Sequence, residues 1–250
     1  GTFITTDVYG SFVLLDAARH APRLRRFVQI STDEVYGSVE TGSSTEYDEI
    51  RPRNPYAASK AAADRLAYSY WASHGVPVVI KDNLDYGGLV TTAGYWGFST
   101  ASGGVDMIPE NDAVVVERVR RAGAIVLGKT NMSDFASDGT RTRSSVAGVT
   151  RNAHDVTRAP GGSSGGTGAA IAASFAAIGW GSDTCGSIRI PASHHNLFGL
   201  RPTKGLSSID GIIPLSHTQD VGGPLARTAT DLAIGLDATI GADVADPATR

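Results

Sequence analysis

Gly161-Gly162-Ser163-Ser164-Gly165-Gly166-Thr167-Gly168 opens a run that passes through an alanine-rich stretch and an apolar stretch into Asp183-Thr184-Cys185-Gly186-Ser187-Ile188-Arg189. The order is a glycine-serine loop, a helix over residues 168–177, a strand over 177–181 and a second serine-bearing turn, which is the sequence signature of an α/β unit. Upstream, Val76-Pro77-Val78-Val79-Ile80 reads as a strand that ends directly on Lys81. The expected fold is α/β, a mixed β-sheet flanked by helices, with the serine segments gathered at one edge.

Lys81, Ser163 and Ser187 are a base, a proton relay and a nucleophile in residue type. A serine hydroxyl needs a neighbour to take its proton, and a lysine does so only when burial keeps it neutral. Taken alone, residues 161–168 are open to three readings: a flexible linker, a phosphate cradle at a helix N-terminus, or a loop that presents a side chain. The second segment narrows the choice. Ser187 follows Gly186 on a tight turn, where consecutive backbone N–H groups point at a developing oxyanion.

The 250 residues are enough for one large domain or two small ones, and the net charge of -3 provides no basic field for nucleic acid or anionic lipid. The single cysteine, Cys185, excludes an internal disulfide and suits a reducing, cytoplasmic setting. No apolar run is long enough to span a bilayer, and Gly1-Thr2-Phe3-Ile4-Thr5-Thr6 lacks the basic start and apolar core of a signal peptide.

Composition shifts near residue 80. Only five of the 30 glycines precede it, whereas six of the eight tyrosines do, which suggests two modules, 1–80 and 81–250. In the first, Val8, Phe12, Leu15 and Ala18 mark an amphipathic helix over 6–20, a strand is expected at 26–32, and Asn54-Pro55 opens a helix to about residue 73. In the second, a helix is expected over 110–122, a strand over 124–127, and a helix over 228–238 with Thr228 or Thr230 as N-cap.

The segments Lys81-Asp82-Asn83, Gly161 to Gly166 and Asp183 to Arg189 resemble the amidase signature family. Thr91-Thr92-Ala93-Gly94, Gly128-Lys129-Thr130-Asn131, Gly199-Leu200-Arg201-Pro202-Thr203-Lys204-Gly205 and the stretch from Gln219 to Arg227 support the match, which covers residues 81–250. The resemblance implies hydrolysis of a small-molecule carboxylic amide through an acyl-enzyme. Uncharged Lys81 takes a proton from Ser163, the family's cis-serine, which relays it from the nucleophile Ser187. Backbone N–H groups of Thr184, Cys185, Gly186 and Ser187 form the oxyanion hole, with no metal or organic cofactor. Ordinary members continue beyond residue 250 and carry helices before the lysine strand, so the core is expected to be incomplete at both flanks. Ile190 stands where the glutamine-dependent aminoacyl-tRNA amidotransferase relatives typically have glutamine, which favours a general amidase.

Cys185, where many members have glycine, reads as a small buried residue or as a backbone donor with a reactive side chain nearby. Asp183 and Arg189 are expected to pair structurally around the turn, and Ser164 to serve the loop. His154, His194, His195 and His217 lack metal-ligand spacing and are assigned to packing or hydrogen bonding.

Two other patterns compete. Gly123-Ala124-Ile125-Val126-Leu127-Gly128-Lys129-Thr130 satisfies the P-loop formula, but its middle is a hydrophobic strand where phosphate binding needs a loop. In the first module, Ile30 to Gly37 and Tyr56-Ala57-Ala58-Ser59-Lys60 resemble an extended short-chain dehydrogenase/reductase of the dTDP-glucose 4,6-dehydratase type. Tyr56 and Lys60 lie on one helical face, where an ammonium lowers a phenol's pKa. By resemblance Thr32, Asp33 and Glu34 complete that site, with NAD as cofactor. No glycine-rich strand-turn-helix precedes Tyr56, so the module reads as an excised piece without a cofactor cradle. The chain is therefore read as a chimera of the two. An NAD-dependent nucleotide-sugar dehydratase and an inactive fusion product are the alternatives to an amidase.

Overall fold

A computed structural model describes residues 2–19, 29, 31–38 and 49–250. The chain forms two compact units, Gly1–Gly75 and Val76–Arg250.

In the first unit a π-helical segment, Ile4–Tyr9, runs into helix α1, Gly10–Arg19. Of the expected apolar stripe only Leu15 is buried, and Phe12 is exposed. The strand expected at 26–32 falls largely outside the described residues. A 3₁₀ turn, Asp33–Tyr36, is capped by Thr32, whose hydroxyl accepts from the Glu34 amide. Helix α2, Pro55–His74, starts as the sequence predicts: Asn54 Oδ1 accepts from the Ala57 amide at 2.7 Å, and proline occupies the first helical position. Ser59 Oγ donates to Asp7 Oδ2 at 2.7 Å and ties α2 to the π-helical segment.

The second unit begins with strand β1, Pro77–Lys81, followed by helix α3, Val114–Arg121, and strand β2, Ile125–Thr130. Short strands β3, Arg143–Ser144, and β4, Gly148–Val149, make a separate antiparallel pair. Helix α4, Gly165–Ala172, strand β5, Ile178–Asp183, helix α5, Arg189–His194, and strand β6, Phe198–Gly199, lead to strand β7, Val221–Ala226, and helix α6, Ala229–Asp237. The main sheet has the order β2-β1-β5-β7-β6. It is parallel across β2, β1 and β5 and antiparallel from β5 to β7 and β6, so it is mixed as expected.

Alternation along β1 explains its place inside the sheet, between β2 and β5. Val78 and Ile80 join α3, Ile178 and Trp180 in one core, while Val79 packs on the other face with Ile171 of α4. Burying a side chain such as Ile80 contributes roughly 1.5–3 kcal/mol. The strand and helix at 124–127 and 110–122 are present with shifted ends; α3 starts four residues late, after Pro109 and a bend at Glu110-Asn111. Helix α4 starts at Gly165 rather than Gly168 and stops at Ala172, because its glycines serve contact rather than flexibility. A Cβ on Gly166 would overlap the Asn131 carbonyl oxygen, and one on Gly181 of β5 would lie 2.6 Å from Ser164 Oγ. Thr228 caps α6, its hydroxyl accepting from the Asp231 amide at 3.0 Å. Among the described residues no helix is long and apolar enough to cross a membrane.

Candidate active site

Lys81 is the last residue of β1 and pairs with Thr130 of β2. Strand alternation puts its side chain on the same face as Val79, towards the start of α4. The residue is fully buried. Its Nζ lies 2.6 Å from Ser163 Oγ, 2.8 Å from Ser182 Oγ and 3.3 Å from the Ser182 carbonyl oxygen. Burial pushes the Lys81 amine down to about 7, against the pull of the Asp183 and Asp220 carboxylates. A substantial neutral fraction near pH 7 follows.

Ser163 is likewise fully buried, and the Gly162–Ser163 peptide is cis. The next amide, Ser164 N–H, donates to the Ser187 carbonyl at 3.2 Å and ties the two serine segments together. Ser164 Oγ donates to the Ser182 carbonyl at 3.3 Å, in keeping with a structural role. Ser187 is 5% exposed, and among the described residues its Oγ forms no hydrogen bond with Ser163 Oγ. The structure thus closes the Lys81–Ser163 link and leaves the Ser163–Ser187 link open.

Asp183 lies beneath the Ser187 turn. Its carboxylate accepts from the amides of Gly186 at 2.7 Å and Ile188 at 3.0 Å, and from Arg189 Nε and Nη2, both at 3.2 Å. Arg201 adds a contact at 3.4 Å. Burial alone pushes this carboxyl up, but the hydrogen bonds from Arg189, Ile188 and Gly186 outweigh it and hold the group below its ordinary value. The Gly186 N–H is therefore committed to Asp183, which leaves Thr184, Cys185 and Ser187 as the remaining expected oxyanion donors. Cys185 is exposed rather than buried, because the turn folds over the Asp183 carboxylate and directs its neighbour's side chain outward.

Sequence reasoning passed over Ser182 and gave Asn83 no role. Asn83 Nδ2 donates to Ser182 Oγ and to the Ile213 carbonyl, both at 3.0 Å, so the pair lines the lysine's pocket. A hydroxyl at the end of an otherwise apolar strand, Ile178-Gly179-Trp180-Gly181, was the available signal.

The P-loop pattern is indeed strand: β2 takes up Ile125–Thr130. Lys129 pairs with Asp82 at 3.1 Å and donates to Thr91 Oγ1 at 2.6 Å. His195 is buried with Nδ1 2.9 Å from the Pro191 carbonyl, and His154 Nε2 lies 2.9 Å from the His195 carbonyl. His194 Nδ1 is 3.2 Å from the Ala159 carbonyl. Among the described residues no group of His, Cys, Asp or Glu is placed to hold a metal ion. In the first unit, Asn54 Nδ2 donates to Glu34 Oε2 at 2.8 Å, and Thr32 Oγ1 donates to Asp33 Oδ1 at 3.3 Å. Tyr56 is 38% exposed, with its ring 5.9 Å from Phe3, and Lys60 follows one turn later, half-buried.

A mixed sheet in which the interior strand β1 ends on a buried lysine, hydrogen-bonded to a serine just before a helix, defines an α/β protein. The chain belongs to the amidase family, whose profile matches residues 49–250. The profile of the GDP-mannose 4,6 dehydratase family matches residues 1–84, overlapping the first match. A glutamyl-tRNA(Gln) amidotransferase subunit of Archaeoglobus fulgidus is 46% identical over 172 residues, covering 69% of this chain and 36% of that protein. The crystal structure of the corresponding Thermotoga maritima protein matches with a TM-score of 0.64 at 38% identity, over 72% of this chain and 38% of that one. Native peptide amidase from Stenotrophomonas maltophilia matches with a TM-score of 0.65 at 33% identity, over 98% of this chain and 46% of that one. The chain spans about a third of the length of the curated relatives it matches.

Proposed function

We propose that the second unit carries the chemical centre of an amidase acting on a small-molecule carboxylic amide. The observation that carries this reading is the fully buried Lys81, its amine lowered to about 7 and 2.6 Å from Ser163 Oγ. Neutral Lys81 takes the Ser163 proton, Ser163 takes the Ser187 proton, and Ser187 Oγ attacks the amide carbon. Amides of Thr184, Cys185 and Ser187 stabilise the oxyanion. Ser163 then protonates the departing amine as the C–N bond breaks, and water releases the acyl group by the same relay. The Ser163–Ser187 hydrogen bond forms when substrate is bound, since such contacts often tighten only in the complex. The scheme uses no metal or organic cofactor, and the exposed free Cys185 supports a cytoplasmic setting.

The two family matches support a chimeric chain joined where they overlap, within residues 49–84. The 46% identity to an amidotransferase component favours a second reading, in which the amide nitrogen passes to an acceptor. Ile190 speaks for hydrolysis. A fluorophosphonate probe tests the nucleophile: a mass adduct on Ser187 in folded protein, absent in Ser187→Ala, is expected, and labelling that persists without Ser187 overturns the assignment. Equal yields of free amine and acid from an amide substrate without acceptor support hydrolysis; a strict need for an acceptor supports transfer.

A further inference from the structure

The contacts of the lysine pocket have a direction. The Ile213 carbonyl only accepts, so the Asn83 amide is fixed with Nδ2 towards it and, at 3.0 Å, towards Ser182 Oγ. Ser182 Oγ therefore accepts from Asn83. The Ser182 carbonyl also only accepts, and lies 3.3 Å from Lys81 Nζ. A neutral amine has two N–H donors and one lone pair. Giving its two hydrogens to the carbonyl and hydroxyl of Ser182 leaves the lone pair for its third neighbour, Ser163 Oγ at 2.6 Å.

We infer that Ser182, oriented by Asn83, is a positioning residue that takes both N–H groups of neutral Lys81 and so turns its lone pair onto the Ser163 hydroxyl. This rests on the serine–lysine reading above and adds to it what aims the base. Without the two acceptors, a buried amine is free to donate to Ser163 instead, and the proton cannot move towards nitrogen. Three of the pocket's walls supply no countercharge. Just before α4 stands the Ser163 hydroxyl, β2 presents Thr130, the register neighbour of Lys81, with its hydroxyl on Thr167, and Asn83 is neutral, while Lys129 and its partner Asp82 lie on the other face of the sheet. The charges that act on Lys81 are Asp183, at the end of β5, and Asp220, just before β7. A carboxylate placed at residue 83 thus adds a third.

The full-length protein with ¹³Cε-lysine, its Lys81 signal assigned from Lys81→Met, gives the amine's titration midpoint by NMR without needing turnover. Fluorophosphonate labelling against pH gives the rate in parallel. Ser182→Ala, which removes an acceptor that favours the charged form, is expected to move the midpoint down and to lower the maximal labelling rate about 10–100-fold with unchanged probe affinity. Ser182→Thr, which keeps Oγ, restores both. Asn83→Asp is expected to move the midpoint up by about one unit or more. Unchanged midpoints in Ser182→Ala and Asn83→Asp overturn the inference, and Asn83→Asp decides alone if Ser182→Ala does not fold. Absence of wild-type labelling on Ser187 defeats the amidase reading but leaves the Lys81 titration to be read, so the two failures are distinct.

Discussion

Each unit carries a lysine that the sequence matches with a hydroxyl-bearing residue, and the two pairs are built in opposite ways. Lys60 and Tyr56 are four residues apart on α2, and the tyrosine remains 38% exposed. Lys81 meets Ser163 from 82 residues away and is fully buried. A helix places two side chains on one face through its pitch alone, with no tertiary structure required. Only a sheet with cores on both faces removes an ammonium from water, and that removal, with the hydrogen bonds that survive it, changes what the lysine can do.

The largest test of this contrast is Lys81→Met. Losing a general base is expected to lower Ser187 acylation about 10²–10⁴-fold, measured as the rate of fluorophosphonate labelling. Labelling at the wild-type rate would detach burial from function. Removing the carboxylate under the turn comes next: Asp183→Asn leaves Arg189 and Arg201 without their counterion and is expected to cost roughly 3 kcal/mol in denaturant unfolding.

The pH dependence sharpens the contrast further. Because the folded amine of Lys81 is lowered from 10.5 to about 7, the base is charged below pH 7. Labelling is expected to fall about tenfold per unit as pH drops below that point. The same shift sets stability. The unfolded chain holds the proton up to about 10.5, so the penalty of the buried charge is complete below pH 7 and fades between about 7 and 10.5. Lys81→Met should therefore gain most over wild type near pH 6, in thermal melts, and the gain should shrink as pH rises through that window. Smallest are the helix caps. Thr228→Ala and Asn54→Ala each remove a side-chain acceptor from a helix start and should each cost about 1 kcal/mol. The second should leave Ser187 labelling unchanged, since Asn54 belongs to the first unit and Lys81, Ser163 and Ser187 all belong to the second.

How much of this was legible follows the same division between local and non-local causes. The β1 strand ending on Lys81, the Asn54-Pro55 start and the Thr228 cap are local signals, and the structure has all three. The alternation of helix and strand was legible in the residues, and the mixed sheet was expected alongside the family resemblance rather than from spacing. Misread were features set by neighbours distant in sequence. Helix α4 begins at Gly165, three residues earlier than expected, with Gly166 close against the Asn131 carbonyl. The Gly186 amide is held by Asp183, and Cys185 is turned to solvent by the same carboxylate. The Ser182–Asn83 contact joins residues 99 apart and has no spacing to announce it.

That separation also has a meaning in time. Lys81 and Ser182 lie 101 residues apart, and in the sheet they meet only after β5 has taken its place beside β1. At a synthesis rate of about 5–20 residues per second, the lysine leaves the ribosome roughly 5–20 s before its acceptor exists. Throughout that interval it is an ordinary solvated ammonium, inert as a base. The lysine's buried setting is thus a late product of the chain, assembled only once β5 has been made and has docked beside β1.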